Sequence, residues 1–256
     1  MLRRSVPVLC FTVATVVALQ SVAAQSATDL IAQADHEYAA RDVPAALTHY
    51  EAALAADPKN EDALWKAARA GVDLGEYDPT PDHQMTLFKT AEMRARQAVQ
   101  INPGDAEAHF TLARALGRTA LSLGVRDRIK YAGEIRDQAL ACLKINPNHA
   151  GCLHVMGEWN AEVMRLNGFS RMVAKNFLGG KIFNDASWDE AQRYMIAAVT
   201  NDPRRVIHRL DLARIYADRG MKSQARTEFQ IAIDGETIDY NDPHYKAEAK
   251  KGLQEL

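Results

Sequence analysis

Cys142, His149, Cys152 and His154 form one stretch where soft-metal ligands and oxidisable sulfurs gather. Thiolate and imidazole are zinc ligands, and two cysteines flanking a turn can instead oxidise to a disulfide. His149 and Cys152 share a helix face at i, i+3, but Cys152 and His154 stand about 200° apart around a helix, a poor start for a tetrahedral ion. Three states are open: a Cys142–Cys152 disulfide across the turn at Pro147, two buried free thiols, and a metal site. The antiparallel meeting of the two flanking segments favours the disulfide and disfavours the metal.

Other catalytic signatures are incomplete. His36-Glu37 has Ala40 where a zinc-protease helix needs its second histidine, and Gly179-Gly180-Lys181 lacks the upstream glycine and following Ser/Thr of a phosphate loop. There is no G-x-S-x-G and no C-x-x-C. The reading is a non-catalytic protein without cofactor.

The elements that carry these residues read as helices. From Gly151 to Pro203, Leu153, Met156, Gly157, Asn160 and Val163 recur at spacings of three and four, and so do Trp188, Ala191, Met195, Ala198 and Val199. Ser187 with Glu190 forms a capping box, and Asp202-Pro203 is a stop. One hairpin cannot hide both stripes, so neighbours of the same kind are required on either side. Pro58, Pro103, Pro147 and Pro203 repeat the stop, at intervals of 45, 44 and 56 residues (58 to 103, 103 to 147, 147 to 203). Small residues at Ala34, Ala46 and Ala53 allow close helix approach, and Tyr50 fills the wider gap. No convincing strand alternation follows residue 25. The expectation is an all-α solenoid of about five antiparallel pairs, residues 25–256, with a Lys- and Glu-rich helix over 244–256 as a solvated end cap.

In such a solenoid the first helix of each pair lines an inner groove. That places Arg114 and Arg118, Glu158 and Glu162, and Arg214 and Asp218 on successive rungs, with His109, His154 and His208 close by. These are candidate contacts for a peptide or protein segment. The structural alternative is mutual pairing, Arg114 with Glu158 and Glu158 with Arg214, which the alternating signs favour. The histidines are more simply read as hydrogen-bonded structural residues.

An insert over 167–185 interrupts the fourth pair. Phe169, Met172, Val173 and Phe177 form an apolar stripe, with Arg171 and Lys175 opposite. It reads as a lid over its own hairpin, or alternatively as the mouth for a lipid or other apolar ligand. A membrane contact through so short a helix would be weak.

The amino terminus reads as a leader: Arg3 and Arg4, an apolar run from Val6 to Leu19, then Val22 and Ala24 before a cleavage between Ala24 and Gln25. Cys10 lies inside the apolar run, so the leader is not of the lipoprotein type. The whole chain carries a net charge of −2; without Arg3 and Arg4, 29 basic residues face 33 acidic ones. This argues against a general nucleic-acid binder. The leader implies export, to the periplasm in a bacterium, where cysteines oxidise.

The pattern Ala46, Tyr50, Ala53, Pro58 resembles the tetratricopeptide repeat, with middle units lengthened beyond the usual ~34 residues. The order of packing residues from Trp65-Lys66-Ala67-Ala68, through 91–103, His109 and the hairpin 117–144, to Leu153–Trp159 and Ala186–Ala191 resembles the regulator of microtubule dynamics family over about residues 60–233. The resemblance implies a repeat fold and, as a further functional reading, association with microtubules or with mitochondrial or reticular membranes. A secretory leader departs from that pattern. The reading taken forward is an exported interaction scaffold, with a carrier of an apolar ligand as the alternative.

Overall fold

A computed structural model describes residues 26–166 and 183–256. The leader with its cleavage site, and nearly all of the insert, lie outside the described residues. Those residues form eleven α-helices and no strand. The helices are α1 Ala27–Ala39, α2 Val43–Ala56, α3 Glu61–Glu76, α4 Pro81–Ile101, α5 Ala106–Leu121, α6 Val125–Ile145, α7 Ala150–Arg165, α8 Trp188–Asn201, α9 Val206–Asp218, α10 Lys222–Asp234 and α11 Asp242–Gln254.

One local device is used four times. Asp57, Asn102, Asn146 and Asp202 end α2, α4, α6 and α8 in near-identical extended backbone, φ −138, −132, −130 and −140°. A proline follows each, and its ring excludes the helical region for the residue before it. Two residues past the proline stands the cap of the next helix. The side chains of Asn60, Asp105 and His149 accept from backbone N–H groups of Ala63, Glu107 and Cys152, satisfying donors that a helix start leaves open.

Helices pair as α1–α2, α3–α4, α5–α6, α7–α8 and α9–α10, while α1, α3, α5, α7 and α9 also touch in sequence as an inner row. The extra length of the second and third units lies mostly in their second helices: α4 and α6 have 21 residues each, against 14 in α2. Alanines at the crossings are fully buried, among them Ala34, Ala46, Ala53, Ala95, Ala139, Ala191 and Ala213. Trp65 and Trp159 are buried. Buried Asn160 ties α7 to α8 by donating to the Met156 carbonyl at 2.8 Å and accepting from the Ser187 N–H at 3.4 Å.

The carboxy-terminal helix caps the last pair as expected: Tyr245 and Ala249 of α11 are buried on α9 and α10, while Lys250, Lys251 and Glu255 stay exposed. Its end of the chain also meets the beginning. Tyr77, just past α3, stacks on His244 with ring centroids 4.1 Å apart, Asn241 donates to the Asp73 carbonyl at 2.9 Å, and Arg41 donates to the Thr237 carbonyl at 2.6 Å. The inner row therefore curls until its first and last pairs touch.

Cys142 at the end of α6 and Cys152 at the start of α7 are joined by a disulfide. A His149 ring nitrogen lies within 4.8 Å of both sulfurs, but Nδ1 accepts from the Cys152 N–H and Nε2 meets Glu107 at 3.1 Å.

Candidate functional site: the inner groove

The curled inner row encloses a groove of about 1570 Å³. Its two halves differ in chemistry. Leu121, Ile129, Ile135, Trp159, Val163 and Phe183 line one side. There Trp159 stacks on Phe183 with centroids 5.9 Å apart and donates its indole N–H to the Ala132 carbonyl at 2.8 Å. The other side is a wall of arginines and carboxylates.

That wall follows from register. Counting from Pro58, Pro103, Pro147 and Pro203, the position eleven residues on holds Arg69, Arg114, Glu158 and Arg214. Four residues further, one helical turn along the same face, it holds Asp73, Arg118, Glu162 and Asp218. All eight line the groove. The structure thus brings together Arg114, Arg118, His154, Glu158, Glu162, His208 and Arg214, all on its wall. Sequence reasoning missed Arg69 and Asp73, although the same offset from Pro58 marks them.

The pairing differs from the expected one. Arg114 reaches back to Asp73 at 2.7 Å and Glu76 at 3.3 Å, and Arg118 also pairs with Glu76. Glu158 is paired on its own helix with Arg165, at 3.3 Å. Arg165 also holds Glu162 at 3.0 Å and Asp218 at 2.8 Å. Arg214 pairs with Asp211 at 2.8 Å and with Glu248. The expected Arg114–Glu158 and Glu158–Arg214 pairs give way because closer carboxylates stand on α3, α9 and α11, none of them counted from the sequence.

Burial and charge set the protonation of this wall. Burial alone lowers the Arg114 guanidinium, but Asp73 and Glu76 outweigh it and leave it raised. Burial, together with Asp73, raises the Tyr38 phenol, which donates to Asp73 at 2.5 Å. Burial raises the Glu158 carboxyl to about 8, reinforced by the nearby Asp211 carboxylate. Asp211 moves the other way despite its burial, because His154 bonds it at 2.8 Å and Arg214 stands beside it. Burial holds His208 well below the usual imidazole range, and the neighbouring His154 adds to this. The two histidine rings lie 4.9 Å apart. His109, by contrast, is buried between Gln138, at 2.6 Å, and the Pro103 carbonyl, at 3.1 Å, and serves the fold.

Phe169, Met172 and Phe177 lie outside the described residues. Among the described residues no helix is long and apolar enough to cross a membrane.

An all-helical row of antiparallel pairs, the first four closed by Asn/Asp-Pro and all presenting their first helix to a shared groove, defines a tetratricopeptide-like solenoid. A thermophilic TPR protein from Thermus thermophilus shares this fold: its crystal structure superposes with a TM-score of 0.64 at 20% identity, over 88% of this chain and 100% of that one. The family model described as regulator of microtubule dynamics protein 1-3 matches residues 30–256, and the chain belongs to that family. Regulator of microtubule dynamics protein 1 of Bos taurus is 25% identical over 179 residues, 68% of this chain and 54% of its own length. The Mus musculus protein is 24% identical over the same share of this chain and 56% of its own. The chain therefore spans about half the length of these relatives.

Proposed function

We propose that this protein is an exported, non-catalytic scaffold whose inner groove holds a peptide or a segment of a partner protein. The observation that carries this reading is the preformed groove, about 1570 Å³, whose walls repeat the same two positions on successive inner helices. A surface already ordered before binding spares the entropy of ordering it, so affinity comes from area and fit more than from any single contact. Paired arginines and carboxylates give such a groove specificity for a segment of matching charge pattern.

Gly117 supplies the test. It lines the groove, and a Cβ built on it meets no atom within 4 Å. Gly117→Trp therefore directs an indole into the groove from a position whose first side-chain carbon has room. Tagged wild-type protein retains a partner from an extract of its own cells, and Gly117→Trp loses it while its melting temperature holds. Equal retention by both proteins places the partner elsewhere on the surface.

The apolar half favours a second reading, a carrier of a lipid or another apolar ligand. Leu121, Ile129, Trp159 and Phe183 would bury its chain, with the insert residues Phe169, Met172 and Phe177 at the mouth. Native mass spectrometry of freshly isolated protein separates the two, since a carrier shows added lipid mass. The relatives' names suggest a third reading, a role at microtubules, which co-sedimentation with polymerised tubulin tests. Export is tested by the amino terminus of the isolated protein, expected at Gln25.

A further inference from the structure

Between α7 and α9 the groove wall has more acid than its arginines neutralise. The ion pairs form two networks, Arg128 and Arg165 with Glu158, Glu162 and Asp218, and Arg214 with Asp211 and Glu248, Asp211 also meeting His154 at 2.8 Å; with Glu158 protonated, four carboxylates still face three guanidinium groups. Two acceptors in this stretch also lack a partner. Glu158 Oε2 binds Arg165, but its Oε1 is buried and unbonded. His208 is 4% exposed, donates to the backbone of Asp202, and leaves Nδ1 unbonded. A neutral imidazole that donates from one nitrogen carries a lone pair on the other. The two residues are linked through His154, which stands one helical turn from Glu158 and packs its ring on His208. Unpaired buried acceptors and surplus negative charge share one remedy, a positively charged donor.

We propose that this stretch is a binding site for a basic side chain, an ammonium or guanidinium group, with Glu158 and the His208 Nδ1 lone pair as its acceptors. The proposal rests on the groove-binding reading and adds to it the chemistry of the segment: a Lys- or Arg-bearing peptide enters with its cation at the α7–α9 rung. Glu158 keeps 28% of its side chain exposed, so the carboxylate can turn toward the groove to meet it. Burial favours the protonated Glu158 carboxyl, so cation binding would turn it from a neutral acid into a carboxylate.

The probes are fluorescein-labelled hexalysine and hexaglutamate, titrated into the full chain and read by fluorescence anisotropy at low and at high salt. Hexalysine binds and is released by salt, as expected for charges within a Debye length; hexaglutamate does not bind. Glu158→Gln weakens hexalysine at least about tenfold. Asp189→Asn, an acid on α8 whose side chain is 85% exposed and does not line the groove, leaves binding unchanged. Hexalysine affinity that is equal in wild type and Glu158→Gln overturns the proposal. The groove reading is judged separately: partner retention lost in Gly117→Trp but kept in Glu158→Gln leaves the groove standing and removes only the cation site.

Discussion

The Tyr77 hydroxyl, at the end of α3, donates to Glu248 of α11 at 2.8 Å, across 171 positions of sequence. This bond turns a row of helix pairs into a closed circuit. Arg114 ties α5 to α3, the Glu107–His149 pair ties α5 to α7, Arg165 ties α7 to α9, Arg214 ties α9 to α11, and Tyr77 returns α11 to α3. A linear solenoid is stabilised by nearest neighbours alone. Here the first and last units also support each other, so the groove has a fixed width.

Removing the Tyr77 ring should open that circuit. Tyr77→Ala deletes the stack on His244, the edge contact to Tyr245 with centroids 5.9 Å apart, and the bond to Glu248. The expected cost is about 2–4 kcal/mol, in the range for losing a packed aromatic. Tyr77→Phe keeps the ring and costs about 1 kcal/mol. Urea denaturation gives both values, and amide exchange should rise first in α11. Unchanged protection of α11 in Tyr77→Ala would mean that the closure carries no energy.

The disulfide acts on a different part of the fold. Cys142 and Cys152 close a loop with a sequence separation of 10, which in the chain-entropy account stabilises by about 2–3 kcal/mol. Cys142→Ser with Cys152→Ser, or treatment with a dithiol, should lower the melting temperature of the oxidised protein. Identical melting with and without reductant, in protein whose mass confirms the bond, would rule that contribution out.

Stability should also depend on pH with an unusual sign. Burial, then a hydrogen bond with Asp105, raises Glu61 to about 7, and Glu158 is raised to about 8, both from 4.5. An acid raised on folding holds a proton that the unfolded chain has lost, so its effect lowers stability as pH climbs from 4.5 through the folded value. Asp211 and Glu107 are lowered; their contribution is present above the ordinary carboxylate range and disappears as pH falls through their depressed values. The melting temperature should therefore rise from about pH 8.5 to about pH 6 and fall again below about pH 4. Glu61→Gln should flatten the alkaline limb. A melting temperature that climbs steadily from about pH 4 to about pH 8.5 would contradict the assignment.

Much of this was legible in the sequence, for definable reasons. Asn/Asp-Pro stops and three-four spacing are local, so helix ends were readable: the capping box at Ser187 starts α8 and the stop at Asp202-Pro203 ends it. Groove positions followed from register, which is also local. What could not be read was which rung each arginine reaches, because that depends on superhelical curvature set by many crossings at once. Arg114 turning to Asp73, and Tyr77 meeting Glu248, are results of the chain curling on itself, and no periodicity encodes them.

Two helical glycines separate packing from propensity. At Gly157 of α7, a Cβ would lie 3.0 Å from Met195 Cε, 3.2 Å from the Met195 nitrogen and 3.3 Å from the Ala191 carbonyl oxygen. The methionine tip can yield, but the α8 backbone cannot, so α7 and α8 must separate. Overpacking of this kind costs about 1–3 kcal/mol, against which helix propensity returns about 1 kcal/mol. At Gly117 of α5 the added Cβ meets nothing within 4 Å, so Gly117→Ala keeps the propensity gain alone, about 0.5–1 kcal/mol of added stability. Urea midpoints of Gly157→Ala and Gly117→Ala should move in opposite directions from wild type. Movement in the same direction would mean that α7 and α8 do not cross so closely at Gly157, or that Gly117 does not face open space.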